Sequence, residues 1–380
     1  MRPLVLLLCG LQCTCTVPVH EEPPTPTPSS TAVITPQEAL VVQQAWLANA
    51  TAGILFDCRL NVTRRGREGT PTTTTTTTVF TPQACVNGNC HYKGQWLRDF
   101  AYGVEHAFQL LPSHVGAAEA VAAARLLFDN VRPSDGAVAV DLLLTGPPDT
   151  VPAWHFEYGP CPLAWEDPCR TMYNASNTWS KMLDGGPFSV RLAAALSARP
   201  AKAVSALDAR APTLLEEYAG VLVRSMDAVP LDPSTGLVVN TPALANVTYG
   251  FTDTVIKEGA VLYTSILYYE AAGVLAGTLQ SLGRTTAAAL FRSRAAKIKA
   301  SIVTVLWSPA NSAFFASTGV GGAAEIDVWG TAYALAAGLV EDDDKADRIC
   351  KEFLQGQQDK LFYRGHVRHL PAPHYWPVEK

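Results

Sequence analysis

Trp96-Leu97-Arg98-Asp99 is followed at once by a helical pattern, and acidic residues recur where later helical patterns begin: Asp184, then Asp253 with Glu258, then Asp327. The intervals between Asp99, Asp184, Asp253 and Asp327 are 85, 69 and 74 residues by subtraction of residue numbers. Carboxylates placed at the same end of successive helices build an acidic pocket. With aromatic side chains beside it, such a pocket suits sugar chemistry, in which two carboxyl groups flank the bond to be cut. Inverting hydrolysis needs a protonated carboxyl for the leaving oxygen and a carboxylate to activate water, roughly 6.5–9.5 Å apart. Asp253 and Glu258, five residues apart across a helix start, are the candidate catalytic pair, with Asp184 as acid, base or close support.

Arg98 and Asp99 have the donors and acceptors to grip sugar hydroxyls, since a guanidinium donates a fork and a carboxylate accepts two hydrogen bonds. Asp327 completes the ring, with Glu325 as its alternate. Glu157 lies in the aromatic stretch from Trp154 to Trp165 and Glu166 directly after it, where an apolar wall raises a carboxyl pKa as a general acid requires. Trp96, Trp154, Trp179 and Trp329 could supply stacking faces, with Trp165 and Trp376 behind them. Plainer roles stay open: Asp184, Asp253 and Asp327 as helix N-caps, Glu258 beside a helix dipole, tryptophans as core. His366, His369 and His374 lack flanking Cys or Glu, so a pocket lining is expected rather than a metal site. No G-x-S-x-G elbow or Walker loop occurs, and no cofactor is expected.

The elements that must position these residues are helices of alternating character. Apolar residues repeat at helical spacing after Asp99, and helices are expected over 115–128, 186–198, 213–227, 258–279, 285–306, 328–340 and 342–356. Those over 186–198, 258–279 and 328–340 are apolar on most faces and must be buried. Those over 213–227, 285–306 and 342–356 carry a charged face and belong at the surface. Strict succession of buried and surface helices predicts two layers joined as helical hairpins. An earlier helix over 36–49 opens on a capping box, Thr35 with Glu38, and Pro36 at its first position. A strand is expected near Ala137 to Leu144.

Together, the W-x-R-D element, Leu183-Asp184-Gly185-Gly186-Pro187-Phe188, Tyr249-Gly250-Phe251-Thr252-Asp253-Thr254 and Asp327-Val328-Trp329-Gly330-Thr331-Ala332-Tyr333 resemble inner-helix starts of the six-hairpin glycosidases, the (α/α)6 barrels. Glucoamylases, glycogen debranching enzymes and some exo-mannosidases belong to that group. The resemblance covers about residues 90–380. It implies a mainly α fold, an (α/α)6 toroid, acting on an oligo- or polysaccharide, with Arg98 and Asp99 holding the terminal sugar. Such barrels have twelve helices and nine are counted here, so the last helices are expected to be missing. A non-catalytic carbohydrate-binding relative is the alternative, and an extended helical-repeat scaffold a third.

The chain has 380 residues, a formal net charge of −5 and 48% hydrophobic residues, enough for a large core and too few clustered cations for a nucleic-acid surface. Residues 1–19 read as a secretory signal, with Arg2 before the apolar run Leu4 to Leu8. Residues 20–34 read as a Pro/Thr-rich linker, and 35–380 as the glycosidase-like domain with a Thr-rich, disordered surface insertion over 64–82. Sequons at Asn49, Asn61, Asn174 and Asn246, and six cysteines left after signal removal, fit a secreted or lumenal glycoprotein with disulfides. No membrane span is expected; the run Gly259 to Leu279 holds Glu270 and three tyrosines and reads as a core helix.

Overall fold

The computed structural model describes residues 59–64, 75–80, 94–107, 117–129, 131, 135–138, 141–145, 153–156, 183–198, 212–241, 257–319, 325–363 and 366–374. The expected signal, linker and 36–49 helix lie outside them, as do the expected catalytic Asp253 and the binding candidates Glu157 and Trp179.

Among the described residues the protein is mainly helical. In chain order the helices are α1 (Leu97–Tyr102, continued by a π turn over Gly103–Ala107), α2 (Ala117–Asp129), α3 (Gly185–Ser197), α4 (Leu214–Glu217), α5 (Ala219–Asp227), α6 (Leu262–Ser281), α7 (Thr285–Val305), α8 (Val328–Ala336), α9 (Asp343–Arg348, continued by a π segment over Ile349–Gln355) and α10 (Gln358–Leu361). Short strands punctuate them. β1 (Arg59–Arg64) pairs antiparallel with β2 (Thr75–Phe80), and β3 (Gly94–Trp96), β4 (Asp141–Thr145) and β5 (Ala153–Phe156) form a three-stranded antiparallel sheet. Three two-residue ladders follow: β6 (Val239–Asn240) with β7 (Gly259–Ala260), β8 (Trp307–Ser308) with β9 (Ala313–Phe314), and β10 (Phe362–Tyr363) with β11 (His366–Val367).

The alternation read in the sequence is a real layering. α1 packs on α3, α3 on α6 and α6 on α8, which makes an inner row, while α2 and α5 cover α3, and α5 and α7 cover α6. α7 shows the outer pattern: its buried residues are Ala288, Phe291, Ala295, Ile298 and Ile302, a single stripe at helical spacing. In α6 the buried residues include Leu262, Ile266, Leu267, Tyr268, Leu275 and Leu279, spread around the helix. One continuous core runs from Leu97 and Phe100 through Phe188 and Ile266 to Ile349. A smaller cluster of Ala313, Ile326, Val328, Phe353 and Leu361 fastens the start of α8 to the last hairpin.

Local chemistry sets the element ends. Thr213 caps α4 and forms the full capping box with Glu216. Tyr218 breaks α4 from α5, and its hydroxyl donates to Asp129 Oδ1 at 2.8 Å, tying the second hairpin to α2. Gly186 lets α3 cross α5 closely, because a Cβ there would lie 2.5 Å from the Ser225 carbonyl oxygen.

Several expectations are corrected. Thr75–Phe80, inside the supposedly disordered Thr-rich insertion, is a strand; threonine is β-branched and favours extended backbone over coil. α6 begins at Leu262 rather than 258, because Gly259 (φ +77) and Ala260 pair with β6 first. The strand expected from Ala137 occupies Asp141–Thr145 instead. α8 stops at Ala336, where Gly338 (φ +69) ends it.

Candidate functional site

The amino ends of α1, α3 and α8 meet the segment leading into α6 at one end of the inner row. Four charged side chains converge there with almost no exposure: Arg98 at 7%, and Asp184, Lys257 and Asp327 at 0%. Arg98 Nε lies 2.8 Å from Asp184 Oδ2. Asp184 holds the N-cap position of α3, yet its side chain makes no cap hydrogen bond and turns to Arg98 instead. Asp327 does cap its helix, with Oδ1 accepting from the Gly330 N–H at 2.7 Å. Gly330 makes room for this, since a Cβ would lie 2.8 Å from Asp327 Oδ2 and 2.5 Å from the Leu262 side chain. Burial pushes the Lys257 ammonium down to about 7; Asp327 and Asp184 hold its proton on, and Arg98 opposes it. With Lys257 protonated, the four charges cancel.

Half-buried residues flank these four along the chain, Asp99, Glu258, Glu325 and Trp329, and a backbone hydrogen bond brings the half-buried His369 to Val328. The backbone at Glu258 is clamped from two sides. The Asn240 side-chain amide donates to the Lys257 carbonyl at 2.8 Å, and the Gly319 N–H donates to the Glu258 carbonyl at 2.9 Å. Thr318 Oγ1 accepts from the Ala260 N–H at 2.9 Å and would clash with any Cβ at Gly259. The segment 366–374 folds over the start of α8. The His369 carbonyl accepts from the Val328 N–H at 2.9 Å, and the His369 ring meets Trp329 edge-on with centroids 3.9 Å apart. Burial, then the Lys257 charge, holds the His369 imidazole below the usual histidine value. His374 Nδ1 lies 3.0 Å from Glu325 Oε2. Of the three candidate histidines, His366 is exposed on β11, and no group of three or more metal-ligating side chains occurs among the described residues.

A second polar layer crosses the inner row further along the helices. Arg191 of α3 forks onto Glu105 through Nε (2.9 Å) and Nη2 (2.7 Å), and Nη1 reaches Glu270 of α6 at 3.1 Å. Tyr333 of α8 donates to Glu270 Oε2 at 2.5 Å and also meets Arg191, while the Tyr102 and Tyr263 hydroxyls hydrogen-bond each other. Burial works against the Arg191 charge, but Tyr333 and the two glutamates more than offset it and raise its pKa. Burial likewise raises Tyr102, Tyr263 and Tyr333.

Of the sequence-derived candidates, the structure buries Arg98, Asp184 and Asp327, sets Asp99 and Trp329 half-buried in α1 and α8, and sets Glu258 half-buried just before β7. Trp96 and Trp154 lie on β3 and β5 of one sheet, where Trp96 pairs with Asp141 and Trp154 with Leu144. Asp253, Glu157 and Trp179 lie outside the described residues. Sequence reasoning missed Lys257 and the Arg191 layer. Arg191 and Glu270 did carry a signal, as isolated charges inside otherwise apolar helices. Lys257 carried none.

No family model matches the chain, and no curated protein matches it. Solved structures do. A rhamnosidase from Klebsiella oxytoca with rhamnose bound is 14% identical, over 81% of this chain and 46% of that one, with a TM-score of 0.45. A GH78-family rhamnosidase of Bacillus sp. GL1 is 15% identical, over 45% of this chain and 17% of that one, with a TM-score of 0.35. The chain therefore spans under half the length of either.

Proposed function

We propose that the chain is a glycoside hydrolase acting on an oligo- or polysaccharide, with its sugar site at the amino ends of the inner helices of an (α/α)6-type barrel and no cofactor. One observation carries the reading: Arg98, Asp184, Lys257 and Asp327, from four different hairpins, meet where the elements that carry Asp99, Glu258 and Trp329 begin. Asp253 and Glu258 are the acid and base. Asp184, fully buried and paired with Arg98, supports the site. Arg98, Asp99 and Glu157 orient hydroxyls, while Asp327, expected to bind sugar but fully buried, caps the helix that carries Trp329; Trp96, Trp154, Trp179 and Trp329 offer ring faces. One carboxyl protonates the leaving oxygen while the other removes a proton from the attacking water. The chain enters the secretory pathway, a reading supported by the apolar run after Arg2 and by the four sequons.

A second reading, a carbohydrate-binding relative without catalysis, is favoured by the burial of Asp184 and Asp327, which withdraws two carboxylates from proton transfer. Hydrolysis of a panel of α- and β-linked glycosides, rhamnosides included, separates the two when Asp253→Asn and Glu258→Gln run beside the wild type. A hydrolase loses at least about a hundredfold in kcat in one folded variant, as loss of a general acid or base does. Wild-type protein that quenches its tryptophan fluorescence with sugar but cuts nothing supports the binding reading. No cleavage and no binding overturns both.

A further inference from the structure

Two polar contacts in the second layer skip a helix. The Tyr102 and Tyr263 hydroxyls join α1 to α6 past α3, and Arg191 of α3 meets Tyr333 of α8 past α6. Side chains of every second helix meet only on the concave side of a curved row, because in a flat row the helix between them fills the gap. The layer therefore lies on the inside of a bend. Arg191 is its clasp. Its guanidinium forks onto Glu105 at 2.7 and 2.9 Å and reaches Glu270 at 3.1 Å, so one side chain of α3 holds α6, α8 and the π turn that continues α1. A single π turn in a helix is rare and frequently marks a functional position. Packing gives no reason for this chemistry, since apolar side chains of similar volume often replace a buried ion cluster at no cost in stability. What a planar fork supplies beyond apolar filling is one fixed geometry.

The same helices carry the sugar-site candidates nearer their amino ends. Tyr333 follows Trp329 by four residues, Glu105 follows Asp99 by six, and Arg191 follows Asp184 by seven. At the helical rise, the clasp lies about 6–10 Å below the mouths of α8, α1 and α3. We propose that Arg191 is a positioning residue of the sugar site: its clasp fixes the bend of the inner row, and with it the spacing of Asp99, Glu258 and Trp329 at the mouth. This rests on the sugar-site reading above. A helix is stiff over this length, so a shift at the clasp is carried to the mouth, and a looser clasp blurs the site without unfolding the chain.

The test measures tryptophan quenching by L-rhamnose, D-glucose and D-mannose beside urea unfolding, both on the full chain and its variants. Combining Arg191→Met, Glu105→Leu and Glu270→Leu makes the clasp apolar. The urea midpoint of this triple variant should stay near that of the wild type, while its affinity for the sugar that binds falls about tenfold. Arg191→Lys keeps the charge but cannot fork, and should lose about tenfold in affinity while folded. A role in stability alone would move the midpoint and leave the affinity of the folded protein untouched. The proposal is overturned if the folded triple variant, or folded Arg191→Lys, binds sugar as tightly as the wild type. Should the triple variant fail to fold, Arg191→Lys decides. A wild type that binds none of the three sugars overturns the sugar-site reading itself, an outcome distinct from binding that ignores Arg191.

Discussion

Arg98 and Asp184 are held 2.8 Å apart with side-chain exposures of 8% and 0%, so each is the other's replacement for water. Removing one partner of such a pair strands a buried charge, at about 3–5 kcal/mol, whereas replacing both with apolar residues is often neutral. Arg98→Met should therefore lower the unfolding free energy by that amount in urea, and Arg98→Met with Asp184→Leu should recover most of it. A single variant of wild-type stability would mean that the pair is open to solvent. Lys257 gives a second expectation with a definite sign. Its folded value of about 7 lies below the ordinary 10.5, so between the two an unfolded chain holds a proton that the folded chain has released. Stability must rise with pH across that window, with the penalty fully present below it. Melting temperature should climb from about pH 7 to about pH 9, and Lys257→Met should remove that part of the slope. At this scale the sequence was half legible. Asp184 and Asp327 stood out because acidic residues at helix starts are conspicuous, but Lys257 could not, because a lysine in a short polar segment reads as solvated until three hairpins close over it.

The elements were easier to read, and their errors are instructive. α2, α3, α6 and α7 lie within a few residues of where apolar periodicity puts them, since that periodicity is the record of one face being buried. The misreadings arise where local sequence competes with tertiary pairing. Gly259 and Ala260 had helical company but took a ladder with β6, and the threonine tract had the composition of coil but the branching of a strand. Close crossing of α3 and α5 was marked only by a Gly-Gly pair, yet it governs how the second hairpin fits. Gly186→Ala would press a methyl against the Ser225 carbonyl and force the helices apart, costing about 1–3 kcal/mol in chemical denaturation. Thr213→Ala, at the exposed capping box of α4, should cost only about 1 kcal/mol. If the two changes cost the same, the crossing is looser than 2.5 Å implies.

At the scale of the molecule, α6 is the hub. It packs against α3, α5, α7 and α8, and it receives the Lys257–Glu258 segment at its amino end and the Glu270 contacts of the second polar layer along its length. α9 has no fully buried residue, continues as a π segment, and leans on the smaller cluster around Phe353 as well as on the main core. Local opening free energy follows buried apolar contact, so these helices should not exchange their amide hydrogens together. Amides in the middle of α6, around Ile266 to Leu275, should exchange only by global unfolding, with α7 close behind. Those of Asp343–Gln355 should exchange first among the long helical segments, by an opening that leaves the hub intact. Native-state hydrogen exchange at low denaturant reads this directly. If both regions exchange with one free energy, the four hairpins form a single cooperative unit. If α9 opens first while Lys257 and Glu258 stay protected, the site belongs to the rigid hub, and a change in the last hairpin should weaken stability before it weakens sugar binding.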